Sequence, residues 1–116
     1  MALDLDSLWK AMIAAGSGAF ANSWNQVKSY TMPELKKIAA TFVDIEQGLT
    51  ANPPYYTPDS VRVLLQMQLT ASQAVIIATT ALTLIEVQRA FNAIMAAIKD
   101  TVNGAVSGVL GFDLIP

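Results

Sequence analysis

The sequence predicts an all-α protein, either a helical hairpin or a small helical bundle. Apolar residues recur at intervals of three and four along most of the chain, which is the period of one helix face. No stretch alternates apolar and polar residues between turn dipeptides, as half-buried strands do. Because residues 50–57 contain two adjacent prolines, they predict a loop. We therefore expect two shorter N-terminal helices, about 4–30 and 32–48, to fold back on one long C-terminal helix, about 58–103.

The first predicted helix begins near Asp4 or Asp6, since an aspartate side chain can accept hydrogen bonds from the first amides of a helix. Apolar residues then continue at helical spacing as far as Tyr30. Gly16 and Gly18 lie in the middle, and each costs a helix interior about 1 kcal/mol relative to alanine. They mark either a break in the helix or a place where another helix approaches closely.

The second predicted helix begins at Thr31, because Thr31-Met32-Pro33-Glu34 has the form of a capping box with proline in the first turn. Gly48 is placed to end it. Between them lies an amphipathic stripe at intervals of three and four: Leu35, Ile38, Phe42, Ile45 and Leu49. In an alternative arrangement, Pro33 only kinks one long helix that runs from about residue 4 to 49.

The third predicted helix begins with Thr57 as its cap and Pro58 in its first turn. No glycine and no further proline interrupts the chain before Asn103. Alternating intervals of four and three generate one long stripe: Val63, Met67, Thr70, Ala74, Ile77, Ala81, Leu84, Gln88, Phe91, Met95, Ile98 and Val102. So long a period of 3.5 predicts a coiled-coil-like packing face. The apolar tail, residues 104–116, is expected to dock on the bundle or on a partner.

Residues 63–85 contain no charged side chain, and this length exceeds the roughly 20 residues that cross a bilayer. Gln66, Gln68 and Gln73 lie within the stretch, and such side chains are costly in lipid unless a neighbouring helix satisfies them. The apolar stripe also continues past Glu86, where a membrane span would end. These features favour a soluble helical assembly over a membrane span.

The composition predicts self-association. Hydrophobic residues make up 53% of the 116 residues and charged residues 14%, against a usual charged share of roughly 25%. One small domain, residues 1–116, has much surface for its volume, so part of that surface must be apolar. We expect a homo-oligomer, with these candidate interface residues: Met12, Phe20, Trp24, Met67, Ile77, Leu84, Phe91 and Met95.

The residues that the chain lacks argue against an enzyme. It contains no histidine and no cysteine, which removes the commonest general base, the usual zinc ligands and thiol nucleophiles. Asp44 and Glu46 lie two residues apart and face different sides of a helix. We therefore predict no catalytic, cofactor-binding or metal-ligating residue, no cofactor and no small-molecule substrate.

The charge pattern argues against nucleic acid as a partner. The net charge is −2 and the seven basic residues are scattered, so no basic patch can neutralise phosphates. The acidic N-terminal segment lacks the positively charged start of a secretory signal. We expect the cytoplasm or an assembled particle as the location, with membrane association as the alternative. Pro53-Pro54-Tyr55-Tyr56 matches the pattern that WW domains recognise, but so short a match arises often by chance, and the loop between the helices is the favoured explanation.

Two features resemble small helical proteins of bacteria and their phages. One is the Leu-x-x-Leu-Trp element that ends at Trp9, and the other is an alanine-rich helix within residues 61–104 that ends in Lys-Asp-Thr-Val-Asn. The resemblance covers most of the chain and implies a virion, prophage or assembly component, with no established activity attached.

The expected function is therefore that of a non-enzymatic, self-associating structural or interaction subunit. One alternative is a lipid-facing protein, either a membrane-inserted hairpin or an amphipathic coat on a lipid surface. A second alternative is a bundle that holds an apolar ligand.

Overall fold

Four α-helices form the fold in the computed structural model, which describes residues 3–116. They are α1 (Leu5–Phe20), α2 (Trp24–Thr50), α3 (Pro58–Thr79) and α4 (Leu84–Leu110), with a 3-10 turn at Ala21–Ser23 between α1 and α2. The described residues contain no strand and extend over 44 × 22 × 21 Å. The predicted all-α bundle is confirmed, while the boundaries of its helices differ from those predicted.

One hydrophobic core lies between the helices. α1 packs against both α2 and α4, whereas α3 packs mainly against α2. Burial of each large side chain contributes about 1.5 to 3 kcal/mol relative to its exposure. The largest fully buried side chains come from all four helices: Met12, Val27, Leu35, Ile38, Phe42, Ile45, Val61, Ile76, Val87, Phe91, Ile94 and Ile98.

α1 begins as predicted, because the Asp4 carboxylate accepts a hydrogen bond of 2.9 Å from the Ser7 amide. That hydrogen bond holds the pKa of Asp4 below its usual value. The helix continues through both glycines, and a Cβ at Gly16 would lie 3.4 Å from Trp24. Gly16 is thus packed against α2 and α4, and a Cβ at these distances would still make ordinary van der Waals contact. The break comes later, at Ala21, whose φ of 50° is unfavourable for a residue with a Cβ.

α2 continues through Thr31 and Pro33, which corrects the predicted boundary near residue 31. Glu34 does not reach back to cap a helix but pairs with Lys37 at 2.8 Å. Val27, Thr31 and Leu35 lie four residues apart on one buried face. A helix start at Thr31 would turn Val27 away from the core, so packing overrides the local capping signal. The N-terminal helices are thus 5–20 and 24–50. The helix does pass through Pro33, as in the alternative arrangement, but the single helix of about 4–49 is wrong because the chain breaks at Ala21–Ser23.

Replacing Thr31 with valine is expected to raise the free energy of unfolding by about 1 kcal/mol. The Thr31 hydroxyl is buried, and within the described residues it has no hydrogen-bond partner. Valine has nearly the same shape without the unpaired hydroxyl. Urea denaturation would measure the change. Thr41→Val is the control, since the Thr41 hydroxyl already donates to the Lys37 carbonyl at 2.9 Å; an equal gain in the control would contradict the explanation.

The single helix predicted over 58–103 is instead two helices, α3 and α4, separated by the turn Thr80–Thr83. The Thr79 and Thr80 hydroxyls donate to helix carbonyls four residues earlier, at 2.7 and 2.6 Å. Thr83 then caps α4 in a capping box with Glu86. Threonine side chains therefore end one helix and start the next without glycine or proline.

The C-terminal segment docks on the bundle of its own chain. α4 extends to Leu110, and Gly111 ends it in the left-handed conformation, so the predicted tail of 104–116 shortens to 111–116. Asn103 fixes this tail, since its side-chain amide donates to the Ile115 carbonyl at 2.8 Å and accepts from the Ile115 amide at 2.9 Å. Leu114 and Ile115 are buried as a result.

The predicted proline loop occupies residues 51–57, as the sequence indicates. Tyr56 folds back from it onto the end of α2, where its ring covers Gly48 so closely that a Cβ there would overlap the ring. Gly48 thus lies inside α2 instead of ending it, and its lack of a side chain makes room for the loop. The tyrosine of the PPxY pattern is already engaged in an intramolecular contact.

The Tyr56 hydroxyl donates a hydrogen bond of 2.5 Å to the Asp44 carboxylate, which raises the pKa of Tyr56 above its usual value. The interaction stabilises the fold below pH 10, the ordinary tyrosine pKa, and is lost as the pH rises through the higher folded pKa. Asp44→Ala should lower the pKa of Tyr56, measured by tyrosinate absorbance with Tyr30 and Tyr55 replaced by phenylalanine. Asp100→Ala, an exposed change on α4, should leave the titration unchanged.

Candidate interaction surface

The side of α3 that faces away from the core is the candidate site. The core side of α3 carries Val61, Leu65, Ser72 and Ile76, all buried. Successive residues of an α-helix lie about 100° apart around the helix axis, so the residues on the side opposite this buried one can be identified. We call this opposite side the outer face of α3, and its five exposed members are Val63, Met67, Thr70, Ala74 and Ala78.

The outer face is uncharged, and its side chains are larger in its first half than in its second half. Val63 and Met67, in its first half, are 58% and 64% exposed. Ala74 and Ala78, in its second half, present only methyl groups. Between Arg62 and Glu86 the chain has no charged residue, although Asp44 of α2 lies beside Met67 along one edge of the face. Removing such a surface from water is favourable, so it is a candidate for contact with another apolar surface.

The predicted apolar stripe divides at the turn between α3 and α4. Its first members, Val63, Met67, Thr70 and Ala74, face solvent on α3. Its last members face the core on α4: Phe91, Met95, Ile98 and Val102. Because the chain leaves the helical conformation at Thr80–Thr83, the phase of the stripe does not carry over. No single coiled-coil face therefore spans the two helices.

The eight candidate interface residues occupy different environments. Met12, Phe20, Phe91 and Met95 are buried in the core of the chain itself. Trp24 stacks on Phe20 at a ring distance of 6.2 Å and is only half-buried, as is Ile77. Met67 and Leu84 are exposed, so these two are the members available to a partner in the folded chain. Val63, which lies on the predicted stripe, and Ile85 were not among the eight candidates, although both are more than half exposed.

An open groove runs between α3 and α4. The part of the groove nearer the turn Thr80–Thr83, which we call the upper part, has a volume of about 540 Å³. It is lined mainly by amide and hydroxyl side chains: Gln66, Thr70, Gln73, Ala74, Ile77, Leu84, Gln88 and Asn92. The lower part of the groove, about 740 Å³, lies against the tail and is bordered by Arg62 and Lys99 over an apolar floor that includes Leu65 and Met95. The Arg62 guanidinium stacks 3.8 Å from the centre of the Phe112 ring. This lower part is where the apolar ligand of the second alternative would lie.

The described residues hold no group of three or more Asp or Glu side chains placed to bind a metal ion. Among them, α3 is the one helix that is long and apolar enough to cross a membrane, judged by length and composition alone. It has 22 residues and a mean hydropathy of 1.3 in its most apolar window. Its surface is therefore compatible with contact with either protein or lipid.

No protein-family model, curated protein or solved structure matches this chain.

Proposed function

We propose that this protein is a non-enzymatic helical subunit that associates with copies of itself through the outer face of α3. The observation that supports this proposal is the exposure of Val63 and Met67 on a face without charges. An uncharged apolar surface is favourably removed from water by another protein surface. The exposed Leu84 and Ile85, in the first turn of α4, enlarge the same uncharged region.

The expected association is weak. Complete burial of a side chain such as Val63 or Met67 contributes about 1.5 to 3 kcal/mol, and part of each is already buried in the monomer. Two molecules lose about 4 to 15 kcal/mol of translational and rotational freedom when they associate. A few such side chains offset that loss only narrowly. We therefore expect a dissociation constant of about 1 mM or weaker.

A weak contact of this kind suits a protein that acts at high local concentration. The resemblance of the Leu-x-x-Leu-Trp element and the alanine-rich segment to helical phage and bacterial proteins supports an assembled particle as the setting. There, many weak contacts act together, so each can remain weak without loss of the assembly.

Sedimentation velocity over a hundredfold range of concentration tests the proposal. The wild-type mass should rise with concentration, up to about 1 mM. Ala74→Glu should abolish the rise, because it places a charge at the centre of the outer face. Ala40→Glu is the matched control, since it adds the same exposed charge to α2 beside Lys36 and Lys37. A wild-type mass that stays monomeric at every concentration would contradict the proposal.

The second candidate function is contact with lipid, favoured by the length and apolar composition of α3. The same outer face would then lie in the boundary region of a bilayer. Flotation with phosphatidylcholine vesicles distinguishes the two functions. Protein that floats, and that Ala74→Glu releases, supports lipid contact; protein that stays below the vesicles while its mass rises with concentration supports self-association.

A further inference from the structure

We infer that the lower part of the groove between α3 and α4 binds a medium-chain carboxylate, with the carboxylate between Arg62 and Lys99 and the alkyl chain on the apolar floor. This site is independent of the proposed self-association and goes beyond it. None of the residues that line the lower part of the groove belongs to the outer face of α3. A ligand in the groove and a partner on the outer face can therefore be tested separately.

The groove follows an antiparallel pair of helices. Ile77 of α3 and Leu84 of α4 line its upper part together, close to the turn, whereas Arg62 and Lys99 line its lower part. Arg62 and Lys99 are separated from the turn by nearly the same number of residues, one on each helix. Since both helices rise about 1.5 Å per residue, the two cations lie at nearly the same level on opposite walls. One anionic group at this end of the groove can thus be contacted from both sides.

Neither cation forms an ion pair within the part of the chain that the structure describes, where the ion pairs lie within α1 and within α2. Lys99 is half-buried, and an ammonium beside a low-dielectric wall gains more from a carboxylate than one in open water does. The Phe112 ring covers one face of the Arg62 guanidinium. A guanidinium donates its hydrogen bonds in its own plane, so this stacking leaves the N–H groups at its edge available to a carboxylate.

The other polar side chains of the lower part are compatible with an anion. Asp113 is exposed on the tail and brings one negative charge against the two positive charges of Arg62 and Lys99. Gln66 and Asn92 are amides, whose NH₂ groups can donate to a carboxylate. The side chains that line this part therefore carry a net positive charge, in a chain whose net charge is −2.

The apolar floor begins next to the two cations. Leu65 and Met95 are buried and Leu69 is half-buried, and all three line the lower part. From Arg62 to Leu69 the helix advances roughly 10 Å. Closer to the turn, the lining changes to amides such as Gln73. An apolar section of limited length, with cations at one end and amides at the other, matches an anion that carries one alkyl chain.

Other classes of ligand match this lining less well. A neutral hydrocarbon would cover the floor but leave both cations without an anion, and a cationic amphiphile would be repelled by them. An inorganic anion would pair with the cations but leave the floor in contact with water. A carboxylate with an alkyl chain satisfies both regions, and the volume of about 740 Å³ is in the range of small-molecule sites.

The length of the floor predicts which alkyl chains bind best. An extended chain advances about 1.3 Å per carbon, because a C–C bond is about 1.5 Å long. A floor of roughly 10 Å therefore accommodates about eight carbons. Complete burial of one CH₂ group strengthens binding about fourfold, and an open groove buries each group only in part. We expect the affinity to rise about twofold to fourfold with each added CH₂, and to level off beyond about eight carbons.

Isothermal titration calorimetry with butanoate, hexanoate, octanoate and decanoate tests the site, at a protein concentration where sedimentation shows a monomer. Octanoate should bind with a Kd of about 1 mM or tighter. Octanol and octylammonium carry a chain of the same length with a neutral and a positive head group, so each should bind at least about fivefold more weakly. Added salt should weaken the binding of octanoate and leave that of octanol nearly unchanged.

Lys99→Gln should weaken octanoate binding about fivefold without affecting octanol, whereas Lys99→Arg keeps the charge and should retain the affinity. Lys28→Gln is the matched control, because Lys28 is exposed on α2 and does not line the groove. Three results would overturn the site: octanol that binds as tightly as octanoate, octanoate binding that Lys99→Gln leaves unchanged, or no octanoate binding at about 10 mM. None of them bears on self-association, which is decided by sedimentation of the ligand-free protein.

Discussion

Asn103→Asp is expected to lower the free energy of unfolding by about 3 kcal/mol at neutral pH. Asn103 is buried, and its amide both donates to the Ile115 carbonyl and accepts from the Ile115 amide. A carboxylate can only accept, so one of its oxygens would face the Ile115 carbonyl without a proton between them. The substitution therefore removes one hydrogen bond and leaves a buried charge opposed to a carbonyl dipole.

The loss should be smaller in acid. Protonation of the introduced carboxyl restores a donor toward Ile115, so the native state binds that proton more readily than the unfolded chain does. The pKa of the new group is thus raised by folding, and the penalty is present above that pKa and is lost as the pH falls below it. The stability of the variant relative to wild type should rise as the pH is lowered.

Urea denaturation at several pH values measures both effects, and amide exchange at Ile115 locates them in the tail. Asn92→Asp provides the matched control, because Asn92 is exposed on the same helix. Equal stabilities of Asn103→Asp and Asn92→Asp at neutral pH would show that the tail does not depend on this pair of hydrogen bonds.

Phe91→Ala and Met67→Ala are expected to act on different properties, although the same apolar stripe contains both residues. Phe91 is 1% exposed in the core, and its truncation should cost about 3 to 5 kcal/mol in unfolding free energy, because a cavity remains. Met67 is 64% exposed, so its truncation should cost less than about 0.5 kcal/mol in the monomer. It should instead reduce association, since it removes a large side chain of the outer face.

Calorimetry at low concentration measures the first effect, and sedimentation at high concentration measures the second. Met12→Ala is a useful companion, since Met12 is fully buried and tests whether loss of a methionine as such affects association. A large loss of monomer stability in Met67→Ala would mean that this side chain packs within the chain and is unavailable to a partner.

Local chemistry was enough to predict the helix starts at Asp4 and Thr57 and the proline loop. A capping side chain acts within one turn, and a proline changes its own backbone and that of the residue before it. These effects depend on neighbours in sequence, so the sequence alone contains the information. The all-α class is predictable for a similar reason, because the spacing of apolar residues repeats over many turns.

The interior boundaries depended on packing that the sequence does not display. Thr31-x-x-Glu34 and Thr83-x-x-Glu86 carry the same capping pattern, yet only the second caps a helix. At Thr31 the buried face continues from Val27 to Leu35, which favours an unbroken helix. No glycine or proline accompanies the pattern at Thr83, so its local signal for a new helix is weak, and Thr79 and Thr80 just before it are the further signal.

The candidate surface was predictable only in part. Periodicity identifies which residues share a face, and it placed Met67 and Val63 on the same stripe. It does not tell whether that face meets the core or the solvent, because an apolar stripe serves either role. On α3 the buried side is instead marked by Val61, Leu65 and Ile76, and it includes the small polar Ser72, whose hydroxyl accepts from Gln68 at 2.9 Å.

The uneven burial of the helices also predicts where the protein opens first. α3 has four buried residues among its 22, whereas α4 has ten among its 27. Regions with few buried apolar contacts open locally at low free energy, and their backbone amides exchange with solvent soonest. In isolation, α3 should therefore be the least protected helix. A second copy that covers it would slow its exchange, so association would complete the ordering of a helix that the single chain holds only on one side.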